Sequence, residues 1–93
     1  MIKRGKPSED GRVKVTFMLP AQEPPGQVSL VGSFNDWDPH IHPLRARTNG
    51  RRSVVVSAPA NSTLHFRYLG EDGLWFDDTD ADELLEDGCR LHL

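Results

Sequence analysis

The chain has 93 residues, with 14 acids against 11 lysines and arginines, a formal net charge of −3 and only 37% hydrophobic residues. That is one small domain with a single two-layer core, too small to enclose an active site between domains. No apolar run approaches the ~18 residues that cross a bilayer, and no apolar stretch follows the basic start Met1 to Gly5, so neither membrane insertion nor secretion is expected.

Residues 1–11 hold one apolar residue beyond Met1 and read as a flexible N-terminal tail, leaving 12–93 as the folded domain. Alternation begins at Arg12: Val13, Val15, Phe17 and Leu19 share one face of a half-buried strand. Pro20 and the cluster Pro24-Pro25-Gly26 turn the chain. Gln27 to Val31 is a second strand, with Val28 and Leu30 on one side, and it runs into a turn-rich segment around Phe34 and Trp37. Leu44 to Arg47 and Arg52 to Ala58 flank Thr48-Asn49-Gly50, which has hairpin-turn chemistry. In Leu64 to Leu69, the residues Leu64, Phe66 and Tyr68 point inward while His65 and Arg67 point outward. The turn Gly70 to Gly73 leads to Leu74-Trp75-Phe76. An acidic loop at 77–87 precedes a closing strand whose Cys89, Leu91 and Leu93 share a face, and within the loop only Ala81 to Glu86 could form a helical turn. Short strands with turns at roughly ten-residue spacing predict an all-β, immunoglobulin-like β-sandwich of six to eight strands.

Charge is unevenly placed. Residues 39–70 contain no acid and five arginines, Arg45, Arg47, Arg51, Arg52 and Arg67, whereas 71–87 hold nine acids and no base. In an acidic chain without a lysine cluster this reads as a solvated arginine face balanced by the acidic loop, and nucleic acid is not an expected partner. The lone Cys89 cannot form an internal disulfide, and its alternation with leucines reads as packing in a protein of the reducing cytoplasm.

Candidate chemistry is sparse. Asp78-x-Asp80-x-Asp82 opens like a calcium loop, but Glu83 replaces the turn glycine and Cys89 stands where the bidentate glutamate belongs. His40-x-His42 has metal-ligand residue types at a weak spacing in a proline-bracketed loop. No metal, cofactor or catalytic constellation is therefore expected, and the chain does not read as an enzyme. The two tryptophans stand apart, since Trp37 lies in a polar loop and Trp75 follows a turn. Flat indole faces at an accessible edge suit the C–H faces of sugar rings, and the outward fork of Arg67 can reach hydroxyls. The same indoles could instead cap the small core.

The run Val28-Ser29-Leu30-Val31-Gly32-Ser33-Phe34-Asn35-Asp36-Trp37, continuing as Asp38-Pro39-His40-Ile41-His42-Pro43-Leu44, resembles the opening signature of the glycogen-binding, or isoamylase N-terminal (early-set), carbohydrate-binding module. Such modules occur in the beta subunit of AMP-activated kinase and ahead of the catalytic barrel in glycogen branching and debranching enzymes. Phe66-Arg67-Tyr68-Leu69, then Asp72-Gly73 and Trp75, is similar to the second binding strand of that module. The resemblance covers about residues 12–93. It implies that Trp37 and Trp75 stack on glucose units, that Arg67 bonds hydroxyls where the family often has lysine, and that Asn35 is a further sugar contact. The end departs from the pattern: family members carry a sugar-binding asparagine before the last strand, and Glu86-Asp87-Gly88-Cys89-Arg90-Leu91 has none. The expected function is non-catalytic binding of an α-1,4-glucan such as glycogen, starch or a maltooligosaccharide, with a glycogen-metabolising enzyme as a candidate partner in trans. The alternative is a stand-alone interaction or regulatory sandwich that has lost the sugar.

Overall fold

The computed structural model describes all 93 residues, Met1 to Leu93. Nine strands follow in chain order: β1 (Ile2–Arg4), β2 (Arg12–Pro20), β3 (Ser29–Gly32), β4 (Arg45–Ala46), β5 (Arg51–Pro59), β6 (Thr63–Leu69), β7 (Trp75–Phe76), β8 (Glu83–Leu85) and β9 (Gly88–His92). They form two antiparallel sheets, one in the order β1-β2-β5-β4 and the other in the order β3-β6-β9-β8, with β7 pairing β6. The chain is an all-β sandwich.

The count exceeds the six to eight strands expected because two short segments pair. Ile2 to Arg4 lie antiparallel to Phe17 through Val15, so the N-terminal segment begins with an edge strand and is not simply a tail. Ile2 packs against the core, and this contact holds β1 in place. Glu83 to Leu85 pair with Arg90 through Gly88 as a hairpin around Glu86-Asp87, so Ala81 to Glu86 holds a strand instead of a helical turn.

Alternation builds the core as expected. Val13, Val15 and Phe17 of β2 face Leu64, Phe66 and Tyr68 of β6, with Val28, Leu30, Val56, Cys89 and Leu91 filling between them. Phe17 meets Phe66 edge-on at 5.1 Å, and Phe76 stacks on Tyr68 at 5.2 Å. Burying each such ring contributes roughly 1.5–3 kcal/mol by area, and the ring contacts add about 0.5–1.5 kcal/mol more. Tyr68 carries a hydroxyl into this core, where it donates to Asp78 Oδ2 at 2.7 Å. Burial, then the negative charge of Asp78, drives the phenol far above its ordinary range, so it stays a donor. The Asp78 N–H in turn donates to Cys89 Sγ at 3.3 Å, and burial pushes that thiol up to about 11.

Candidate functional site

Strand β6 organises the outer face of the second sheet. With Leu64, Phe66 and Tyr68 turned inward, His65 and Arg67 must turn outward. Trp75 pairs with Leu69 in register and therefore shares that outer face, while its neighbour Phe76 goes in against Tyr68.

Trp37 reaches the same face by a different device. After β3, Ser33–Asn35 makes a single 3-10 turn, and Asp36 and Trp37 then both take left-handed backbone, with φ of 56° and 58°. A bulky residue in that region is strained by roughly 1–2 kcal/mol, so the surroundings must hold it there. The clamp is Asn35. Its Oδ1 accepts the Gly32 N–H at 3.0 Å, and its Nδ2 donates to the Leu30 carbonyl at 3.0 Å and to His42 Nδ1 at 2.9 Å. The Trp37 N–H closes the turn on the Gly32 carbonyl at 3.0 Å. Asn35 is only 5% exposed and its polar atoms are occupied. This corrects its assignment as a sugar contact: it positions Trp37 from beneath.

Trp37, His65, Arg67 and Trp75 lie on this face as two pairs, with His65 and Arg67 half-buried two residues apart on β6. The Trp37 ring stands edge-on to His65 at 5.1 Å, and the Arg67 guanidinium lies 5.8 Å from the centre of the Trp75 ring. The two indoles remain 40% and 44% exposed, so neither caps the core. Arg67 Nε donates to Asp77 Oδ1 at 3.2 Å, and its terminal nitrogens make no hydrogen bond within the protein. His65 Nε2 donates to the Asp87 carbonyl at 3.2 Å. Glycine at 88 is what lets the hairpin approach, because a Cβ there would sit 2.8 Å from Arg67 Cγ and 2.9 Å from the Phe66 carbonyl. Val31, aligned with Arg67 across β3 and β6, is fully buried on this outer side of the sheet.

The structure thus brings Trp37, Arg67 and Trp75 onto one face, turns Asn35 inward and adds His65, which was not a candidate. The alternation through β6 was the signal for His65, since it shares the face of Arg67. The other constellations separate. Asp78 bonds Tyr68 and shares the Met1 amine with Asp80, whereas Asp82 pairs with Arg4 at 2.7 Å, so the three carboxylates do not gather at one point. His42 faces Asn35 while His40 is exposed. The arginine stripe also divides. Arg52 is buried, donating to the Pro24 and Gly26 carbonyls, both at 2.6 Å, and burial lowers its affinity for the proton. Arg67 lies on the opposite sheet from Arg45 and Arg51. No helix is long and apolar enough to cross a membrane. Compared with known proteins, the chain matches no family model, no curated protein and no solved structure.

Proposed function

We propose that the protein is a non-catalytic carbohydrate-binding module of the glycogen-binding, early-set type that takes α-1,4-glucan on the outer face of β6. The observation that carries this reading is the set Trp37, His65, Arg67 and Trp75 on one face, each exposed indole meeting a polar side chain of β6. Indole faces meet the apolar faces of successive glucose rings, and the free terminal nitrogens of Arg67 donate to their hydroxyls. The backbone strain at Trp37 supports the same reading, because a conformation that costs stability is kept where it presents a side chain to solvent. The site is open and its contacts are few, so binding is weak, about 5–7 kcal/mol or roughly micromolar to sub-millimolar. The lone, buried Cys89 fits a cytoplasmic protein acting beside a glycogen-metabolising enzyme.

Titration with a maltooligosaccharide, followed by tryptophan fluorescence and amide shifts, is expected to saturate and to perturb residues around β6 and β7. Trp37→Ala and Trp75→Ala are each expected to weaken binding about tenfold or more. Absence of any change at millimolar sugar sinks the reading. A second reading, an interaction or regulatory sandwich without sugar binding, draws on the last hairpin. Asp87 there faces His65 at 3.5 Å, and no asparagine is at hand to bind a hydroxyl.

A further inference from the structure

The acids and the cations do not cancel where the sequence suggests they should. Of the nine acids in 71–87, Asp77 meets Arg67, Asp78 and Asp80 meet the Met1 amine, Asp82 meets Arg4, and Glu83 and Asp87 meet His92 and His65. None of these contacts reaches a lysine or arginine side chain that the register turns outward from the first sheet. The strands of that sheet contain no Asp or Glu at all. The register turns Lys3, Arg12, Lys14, Arg45 and Arg51 outward, together with Arg47 just beyond β4. None of the six makes an ion pair, although Arg12 bonds Ser57 and Arg47 bonds Ser53.

The centre of this face is less polar than its rim. Thr16 lies opposite Val55 and Met18 opposite Ser53, and Val55 is 48% exposed. At one end Lys6, Arg12 and Lys14 line an open recess of about 390 Å³ with Ser8, Ser57 and a single carboxylate, Asp10. A centre carrying Val55 and Met18 among hydroxyls, rimmed by arginines and lysines, is the layout of a protein interface, where arginine bonds carboxylates in pairs and the rim steers association. The face carries no aromatic side chain on which a base could stack.

We infer that the outer face of β1-β2-β5-β4 is a docking surface for an acidic protein partner. It lies on the opposite side of the sandwich from Trp37 and Trp75 and is independent of the glucan reading. One molecule can therefore hold both ligands at once.

The probe is a peptide alternating glutamate with leucine, titrated at physiological ionic strength and read by amide shifts. Shifts confined to β1, β2, β4 and β5 are expected, with affinity falling about tenfold or more in the paired variant Lys14→Glu/Arg45→Glu. Val55→Asp is expected to weaken the peptide as well, and all variants should keep the wild-type thermal midpoint within a few degrees. No binding at millimolar peptide, shifts elsewhere, or an unchanged affinity in the paired variant overturns the inference. Tighter binding of duplex DNA or of phosphatidylserine vesicles than of the peptide overturns it in favour of those polyanions. Concentration-dependent self-association abolished by Arg45→Glu overturns it in favour of a second copy.

Discussion

Replacing Asn35 with alanine strips partners from the Gly32 N–H, the Leu30 carbonyl and His42 Nδ1 together. Leaving such groups unpaired away from water costs roughly 1–3 kcal/mol each, so Asn35→Ala is expected to lose about 3 kcal/mol or more in urea unfolding. It should also weaken sugar binding without touching sugar, because the strained turn that presents Trp37 relaxes. His42 makes the same turn sensitive to pH. Burial lowers its affinity for the proton, and its Nδ1 must stay unprotonated to accept from Asn35. The unfolded chain takes up that proton near pH 6.5, the folded chain only at lower pH, so unfolding binds protons in this window. The stabilisation is complete above about pH 6.5 and fades as pH falls through the folded value. The urea midpoint is expected to drop between about pH 7.5 and 5.5, and to drop less in His42→Gln.

Among the elements, the hairpin of β8 and β9 is the one the platform leans on. Gly88 has a φ of 135°, and any Cβ there would collide with Arg67 Cγ and the Phe66 carbonyl. Gly88→Ala is expected to cost about 2–4 kcal/mol and to displace Arg67 from Trp75, visible as a changed tryptophan emission before any sugar is added. Strands with clean alternation, β2 and β6, were legible in the sequence because burial on one side and solvent on the other fixes every second residue. β8 was not legible. Its Leu84 and Leu85 are both exposed at a sheet edge, so no period exists to read, and its pairing is set by the turn at Glu86-Asp87. β1 was hidden for a similar reason, since one isoleucine over Phe17 leaves no pattern. Within the site, aromatic residues in turn-rich segments marked Trp37 and Trp75. The inward turn of Asn35 was invisible because an exposed amide and a buried, saturated one look alike in sequence.

At the scale of the molecule, the acidic loop is an internal strap more than a free surface. It ties β1, β6 and β9 together through Asp77, Asp78 and Asp82, and Asp78 is its deepest anchor. Tyr68→Phe removes the hydroxyl donor of that buried carboxylate and is expected to destabilise by about 1.5–3 kcal/mol, measured as a lower urea midpoint with an unchanged slope. The drop should greatly exceed that of Asp77→Asn, whose pair with Arg67 is partly exposed and worth little in water.

The same anchor ends on the sulfur of Cys89, sealed between the sheets and holding its proton to about 11. A thiol in that state is invisible to an alkylating reagent until β9 lifts away from Asp78 and the strap opens. Its labelling rate therefore clocks that opening directly, with no engineered probe. A ligand that grips Arg67 and His65 should slow the clock, whereas one held on the far sheet should leave it nearly unchanged.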